Sequence, residues 1–578
     1  MLKRIWGEAT GLLDQSRRIR WLDLLLLLGI GGFFFGVFSL MNSAATYHEP
    51  LAKPDPLDLG FPSLLKCTFF SLARGVFAYF ISLGFTLVYG YWAAKDLIAQ
   101  KVLIPLLDIL QSLPVLSFMP GLLLGLVTLF PNSNIGVELA CILMIFTGQA
   151  WNMTFSFYQS VRSVPVEMRE VATVYRMSWW QRFRWVELPY SGMGLVWNSM
   201  MSMAGGWFFL TVCESFDLKD HPFRLPGIGA YMGQAKDDKD WTAMICAIVA
   251  MTLMIIVLDQ LVWRPIIVWA QKFRVEEGGA QEAMHSWFLS ILLRSRLLRW
   301  LGDQAQKVSM MVGSGAATEL PAIPAAPRRL PKWVAYLSLV PFVALLIALV
   351  GGAWFLIVLI LGVTGPEWLE LCGLGGLTLV RVLLATGLAT LWTVPAGLAI
   401  GLSPRLSRIF QPIVQVVASF PTPMLFPLIV LGLGINLNWG SIVLMLFGTQ
   451  WYILFNVIAG AMAIPADLKE AARSYNITGW QRFWVLYVPA IFPYLVTGWI
   501  TATGGAWNLS IVAEYISLND QELVADGLGA KINQMTTASN LAVLAAASLV
   551  MSTMVVLFNR LVWRRLYHLA DTRFSVNR

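Results

Sequence analysis

Four charged residues in apolar surroundings are the first candidates for chemistry. Arg74 and Arg381 lie early in long apolar segments, and Glu214 and Glu514 lie at the ends of later ones. An ionisable group in hydrocarbon usually faces a cavity or a partner. Two guanidinium groups near a common axis would hold a small anion by paired hydrogen bonds. The alternative is that each Arg pairs with the Glu of its own half or reaches the outer interface, and the sequence leaves both interpretations open.

Two tryptophans are candidates for the wall of a path through the protein. Trp207 and Trp507 each follow a run of small residues, where close approach of helices is expected. We expect these rings to line a pore, the alternative being packing or lipid contact. Asn508 follows the second Trp where Phe208 follows the first, so the two sides of such a pore would differ chemically.

The sequence contains no recognisable catalytic or metal-binding pattern. The five cysteines lack CxxC spacing, and the four histidines are scattered without an HExxH motif. The phosphate-binding motif Gly-x-x-x-x-Gly-Lys-Ser/Thr is absent, so the chain is not expected to bind ATP itself. We therefore predict no metal, no cofactor and no enzymatic activity in this chain, with energy supplied by a partner.

The composition indicates a membrane protein. Of the 578 residues 57% are hydrophobic and 13% are charged, with a mean hydropathy of +0.67, which is far more apolar than a typical soluble protein. The 41 Lys and Arg exceed the 33 Asp and Glu, but the basic residues cluster at segment ends and in alternate loops. That distribution follows the positive-inside pattern and argues for a lipid bilayer as partner, with no nucleic acid.

Twelve apolar segments are predicted to cross the bilayer. They lie at about 21–41, 65–92, 103–129, 136–160, 188–213, 241–270, 333–363, 372–402, 409–433, 440–463, 488–516 and 541–567. The predicted domains are a cytoplasmic tail at 1–20, a six-span domain at 21–270, a cytoplasmic interfacial helix and flexible linker at 271–332, and a second six-span domain at 333–578. This topology places both termini in the cytoplasm.

The two six-span domains are copies of each other. Residues 165–189 and 465–489 are identical at nine of 25 positions, in register at an offset of 300. Earlier matches, including Arg74 with Arg381, have an offset of 307. Because both copies enter the membrane from the same side, we expect parallel repeats related by an axis along the membrane normal.

The duplicated stretch is a charged island between apolar segments, and it resembles the EAA loop of ABC importer permeases. Glu470, Ala471 and Ala472 match that pattern closely, and Glu170 and Ala172 match it less fully. In that family the loop is a coupling helix that docks on a cytoplasmic ATPase. The resemblance implies coupling residues in both copies, namely Glu167, Glu170, Ala172, Tyr175, Arg176, Asp467, Glu470, Ala471, Ala472, Tyr475 and Asn476. The alternative is a pair of amphipathic helices at a membrane face.

One departure from the family pattern concerns the glycine at the bend of the loop. Asn476 takes its place in the second copy and Arg176 in the first. Asn tolerates a left-handed backbone more readily than Arg does. We therefore expect the first loop to bend differently and the two ATPase contacts to be unequal.

The arrangement of Arg, Trp and Glu followed by Gly-x-Gly is similar to the nitrate, sulfonate, taurine and bicarbonate branch of these permeases. The resemblance implies an all-α membrane protein with two parallel six-helix repeats of the type I importer fold. It also implies two cytoplasmic ABC ATPase subunits or domains that hold ATP and Mg²⁺. An extracytoplasmic solute-binding protein and a location in the bacterial cytoplasmic (inner) membrane follow from the same resemblance.

The alternative from another class is a secondary transporter of two six-span repeats, driven by an ion gradient. Buried acids or histidines in mid-span and the lack of a docking loop would favour it. The outer segments at 214–240 and 514–540 each carry charges and Gly-x-Gly. We expect these segments to form a plug, to receive the binding protein, or to be ordinary solvated loops.

Overall fold

A computed structural model describes residues 57–273 and 350–573, apart from short gaps at 113, 132, 219–220, 434–435, 519–520 and 539, together with residues 288, 289 and 347. The predicted tail, the first span, the linker and nearly all of the interfacial helix lie outside the described residues. Most of the predicted seventh span does too, although its later part contains the short apolar helix Val350–Ile360.

Between residues 57 and 273, the first half is a series of ten α-helices interrupted by one hairpin. The helices are α1 Phe61–Lys95, α2 Leu97–Ser112, α3 Met119–Leu129, α4 Ile135–Arg162, α5 Val166–Val174, α6 Trp179–Arg182, α7 Leu188–Glu214, α8 Ile228–Asp237, α9 Trp241–Leu258 and α10 Arg264–Ala270. Between α7 and α8, strand β1 Ser215–Leu218 pairs antiparallel with β2 His221–Arg224.

The second half repeats this series, so that each helix has a counterpart numbered ten higher. The helices are α11 Gly365–Leu402, α12 Pro404–Ser419, α13 Phe426–Leu433, α14 Leu437–Met462, α15 Ala466–Ser474, α16 Gly479–Arg482, α17 Val488–Ala513, α18 Leu528–Thr537, α19 Leu541–Phe558 and α20 Arg564–Arg573. The second hairpin joins β3 Tyr515–Leu518 to β4 Gln521–Val524. The predicted duplication and mostly helical fold are confirmed.

Within the described residues, seven helices are long and apolar enough to cross a membrane, judged by length and composition. They are Phe61–Lys95, Ile135–Arg162, Trp241–Phe273, Gly365–Leu402, Leu437–Met462, Gly479–Ala513 and Leu541–Ala570. Helix α7 occupies the predicted fifth span as an unbroken helix but is not among the seven. It carries several polar residues, including Ser191, Asn198 and Ser202.

The predicted third and ninth spans are not single helices. The first of them, 103–129, is broken after α2, continues as a 3₁₀ turn at Val115–Phe118, and resumes as α3. In the second half the axes on either side of the break differ by 81°. Pro114 and Pro421 stand at the breaks, and proline supplies no N–H and disfavours helical backbone in the residue before it.

The described parts of the outer segments form a hairpin and a short helix in each half, and charged side chains such as those of Asp237, Asp238 and Lys239 are exposed. Each hairpin returns to the end of the preceding helix, where Leu225 N donates to Glu214 O at 3.0 Å and Ala525 N donates to Glu514 O at 2.8 Å. Each is followed by a short helix that begins after Gly227 or Gly527. Two small hairpins therefore stand within the predicted all-α fold.

The two halves form one continuous buried core. In each half the first, fourth and seventh helices pack together, and small residues allow close approach: a Cβ on Gly75 would lie 2.6 Å from the ring of Trp207. Between halves, α7 contacts α12 and the 3₁₀ turn Thr422–Leu425, while α17 contacts Val115–Phe118. Helix α9 contacts α12 in the same way that α19 contacts α2.

Candidate functional site

The two duplicated loops are largely exposed pairs of short helices. The predicted bent pair of short helices is present in both copies, as α5 with α6 and as α15 with α16. Only the small side chains of Ala172 and Ala472 are buried. The remaining predicted coupling residues are exposed: Glu167, Glu170, Tyr175, Arg176, Asp467, Glu470, Ala471, Tyr475 and Asn476.

The expectation that the first loop bends differently is wrong. Arg176 has φ 49° and Asn476 has φ 53°, so both adopt the left-handed backbone of a helix end. The same closing hydrogen bonds follow, from Met177 N to Ala172 O at 3.0 Å and from Ile477 N to Ala472 O at 2.9 Å. These bonds hold Arg176 in a conformation that costs an L-residue other than Gly or Asn about 1 kcal/mol.

The loops differ instead at their second helix. Ser178 caps α6, with its hydroxyl accepting from Gln181 N while Gln181 Oε1 accepts from Ser178 N at 2.8 Å. The corresponding Thr478 makes no such side-chain bond, and Gly479 after it has φ 52°. The second helix is therefore capped by side chains in the first copy only.

The base of the loop also differs between the copies. Glu187 is buried, and its Oε1 accepts from Lys95 Nζ and lies 3.3 Å from Arg182 Nε. This cluster ties α6 to the end of α1 by charge. The corresponding positions in the second half are Tyr487 and Leu402, which pack in an apolar cluster.

Arg74 is fully buried and pairs with two carboxylates. Its Nε and Nη2 donate to Glu138 at 2.7 Å each, and its Nη1 donates to Glu214. Glu214 also accepts from the hydroxyl of Ser71 at 2.8 Å and from Gly229 N at 2.9 Å. Arg74 therefore belongs to a closed network within the first half.

Arg381 has one carboxylate partner. Its Nη1 donates to Glu514 Oε1 at 3.1 Å and to Asp526 O at 2.9 Å, and its Nη2 donates to Asn438 Oδ1 at 2.8 Å. Thr378 repeats the role of Ser71, donating to Glu514 at 2.9 Å. The neutral Asn438 thus replaces Glu138.

The arginines therefore follow the interpretation in which each pairs with the Glu of its own half. Two helix N-termini add positive potential to the first cluster, because Glu138 lies in the first turn of α4 and Glu214 accepts from the first turn of α8. Each N-terminus acts as about half a positive charge. This offsets the second carboxylate. The glycines complete the fit, since a Cβ on Gly227 would lie 2.2 Å from the carboxyl carbon of Glu214.

The tryptophans lie inside the protein. Trp207 and Trp507 are both buried, and Asn508 Nδ2 donates to Gly504 O at 3.4 Å. Trp207 borders a small cavity between the halves, which is lined by α7, α9, the turn after α9 and α12. The structure thus places the first Trp at an inter-half cavity and the second in the core.

Several partners in these networks occupy corresponding positions of the repeat and could have been predicted from its register. Ser71 with Thr378 has the offset of 307, and Glu138 with Asn438 has the offset of 300. Glu187 and Asp259 have no acidic counterpart, so the register gave no signal for them. Among the described residues, no group of three or more His, Cys, Asp and Glu is placed to hold a metal ion.

The comparison with known proteins agrees with the duplicated architecture. Residues 86–262 and 393–568 each match the family described as binding-protein-dependent transport system inner membrane component. The taurine transport system permease protein TauC of Escherichia coli (strain K12) is 28% identical over 127 residues, which is 22% of this chain and 46% of that protein.

Two further relatives are also named as transport permeases. The putative aliphatic sulfonates transport permease protein SsuC of the same organism is 34% identical over 112 residues, 19% of this chain and 42% of the relative. The nitrate import permease protein NrtB of Leptolyngbya laminosa is 27% identical over 124 residues, 22% of this chain and 44% of the relative. The chain thus matches less than half the length of these relatives.

Proposed function

The chain belongs to the family of binding-protein-dependent transport system inner membrane components, and from that premise we propose that it is the membrane subunit of an ATP-driven importer for a small anion. The substrate class is that of nitrate, bicarbonate, taurine or a sulfonate, as named for its relatives. The two halves form one translocation path between them. The chain itself hydrolyses no ATP, and a partner holds ATP and Mg²⁺.

The observation that carries the proposal is the pair of exposed, equally bent loops. Each presents a carboxylate and aromatic rings to solvent, with Tyr175 74% and Tyr475 81% exposed. Exposed apolar side chains beside charged ones are typical of a protein interface. Each loop therefore docks one cytoplasmic ATPase subunit, and closure of the ATPase pair moves the two loops together.

The hairpin and short helix at the other end of α7 and of α17 receive an extracytoplasmic solute-binding protein. Arg74 and Arg381 brace these elements through Glu214 and Glu514, and they do not hold the anion. Selection of the anion therefore rests mainly with the binding protein. The chain lies in a bacterial cytoplasmic membrane with both termini in the cytoplasm.

The test is recovery of partner proteins with the full chain after extraction from its own membrane. We expect a nucleotide-binding subunit at two copies per chain, lost in the double variant Glu170→Lys with Glu470→Lys. A matched control reverses charge at Asp237, which is exposed outside the loops, and should retain the subunit. A chain that purifies alone and takes up solute under an ion gradient would support a secondary transporter instead.

A further inference from the structure

A hydrogen bond between one buried and one half-buried side chain crosses the seam between the two halves. Gln415 Nε2, on α12 of the second half, donates to Asp259 Oδ1 at 2.7 Å. Asp259 is 6% exposed and begins the π-helical turn Asp259–Trp263 that follows α9. Its other oxygen lies 3.4 Å from Arg264 Nε and accepts from Gln260 Nε2 at 3.1 Å. The carboxylate is thus held by donors from both halves.

The bond stands beside the cavity between the halves. Asp259 lies near the middle of the long apolar helix Trp241–Phe273, directly after its most apolar stretch, Trp241–Leu258. The cavity is lined by both halves, with Met200, Met203, Ala204, Trp207, Ile255, Leu258, Asp259 and Trp263 from the first and Gln415, Val416 and Ser419 from the second. Gln415 Nε2 also lies 2.7 Å from Met200 Sδ, so its amide fills the space between α7 and α9.

The corresponding positions of the repeat carry the same two types of side chain in exchanged places. At the offset of 300 the position of Asp259 is occupied by Asn559, the first residue of the second π-helical turn. At the offset of 307 the position of Gln415 is occupied by Asp108 on α2. The two sets of corresponding positions therefore each contain one acid and one amide, in exchanged places. Two acids would repel and two amides would lose the charge-assisted bond, so the exchange keeps the residue types that such a bond requires.

We propose that the bond between Asp259 and Gln415 holds the two halves together across the translocation path and keeps that path closed between transport cycles. The inference rests on the proposed function only in that the path lies between the halves. Both are positioning residues, since they act by holding one half against the other. Domain movement during transport must break the bond, and its loss leaves the path open.

The test is passive efflux of trapped radiolabelled taurine from liposomes that contain the purified full chain. Gln415→Asp sets two carboxylates against each other and should raise efflux about tenfold. Asp259→Asn keeps a neutral hydrogen bond and should raise it about threefold. The double variant has an amide at position 259 and an acid at position 415, as at the corresponding Asn559 and Asp108. It should return efflux to within about twofold of the unaltered chain.

Gln411→Asp is the matched control, because it makes the same chemical change one turn earlier on α12, where the side-chain oxygen accepts from Ser407 of the same helix. Efflux from Gln415→Asp equal to that from this control, or a double variant as leaky as the single one, would overturn the proposal. If Gln415→Asp does not fold, Gln415→Met supplies a side chain of similar length without the donor. This variant should raise efflux about threefold. No leak from a folded Gln415→Met also overturns it.

The efflux assay contains no ATPase, so its outcome is separable from the proposed function. If the variants leak as expected but the chain recovers no nucleotide-binding subunit, the proposal for the Asp259–Gln415 bond stands and the ATP-driven importer is rejected. If the chain recovers the subunit and neither Gln415 variant leaks, the ATP-driven importer stands and the proposal for the Asp259–Gln415 bond is rejected.

Discussion

The two halves have the same backbone fold, but different charged side chains stabilise it in each half. In the first half Arg74 has two carboxylates, whereas Arg381 has one carboxylate and the neutral Asn438. The base of the first loop is an ion cluster around Glu187, and the same place in the second half is apolar. The comparison teaches that the helices and glycines set the geometry, while the charges within it have diverged.

The largest expected effect is on stability at the arginines. Arg74→Gln leaves Glu138 and Glu214 buried without their cation, which should cost about 3–5 kcal/mol of unfolding free energy. Arg381→Gln leaves one carboxylate that keeps the hydroxyl of Thr378 and an N–H, and should cost about 2 kcal/mol. Unfolding in detergent, followed by tryptophan fluorescence, measures both.

Adding Glu138→Gln to Arg74→Gln should recover part of the loss, because it removes one uncompensated carboxylate. Equal losses for the two single arginine variants would contradict the proposed difference between the halves. A stable Arg381→Gln chain with a raised half-saturating anion concentration would instead support anion binding at that residue.

The next effect concerns the base of the loops. Glu187→Gln removes the ion pairs with Lys95 and Arg182, so we expect about 2 kcal/mol lower stability and weaker coupling of ATP hydrolysis to uptake. Tyr487→Phe is the matched change in the second half and should alter stability by less than about 0.5 kcal/mol. The ratio of ATP hydrolysed to solute imported in vesicles measures the coupling. Similar ratios for both variants would show that the ion cluster has no role in it.

A smaller difference is expected between the exposed carboxylates of the loops. Glu470→Lys should reduce recovery of the ATPase about tenfold, roughly 1.4 kcal/mol, and Glu170→Lys should reduce it less. The reason is the closer family match of the second loop, which has Ala471 where the first has Val171. Titration of purified ATPase against each variant in detergent measures the two affinities. Equal affinities would contradict unequal coupling and would instead agree with the equal bends of the two loops.

The smallest effect is at the bend itself. Arg176→Gly removes the cost of a left-handed backbone and should stabilise the chain by up to about 1 kcal/mol. Asn476→Gly should change little, because Asn already tolerates this conformation. The shift in thermal unfolding of the two variants is the measurement. A destabilised Arg176→Gly would mean that contacts of the Arg side chain outweigh the backbone cost.

Much of the fold was predictable from the sequence because it depends on local periodicity. Apolar length located most of the described spans, and the repeat located both loops and the bend within each. The breaks near Pro114 and Pro421 were not predicted, since apolar runs of adequate length look the same whether straight or bent. The left-handed backbone at Arg176 was also not predicted, because hydrogen bonds such as that from Met177 N to Ala172 O outweigh the preference of a single residue.

The sequence by itself determined the duplication, the membrane class and the exposed loops, because these depend on residue order and hydrophobicity. Only the tertiary structure decided whether Arg74 and Arg381 face a path or a partner. It also decided that Asp259 meets Gln415, 156 positions away in the chain. A buried charge is stabilised by whichever groups surround it, and those groups come from helices whose packing the order of residues does not display.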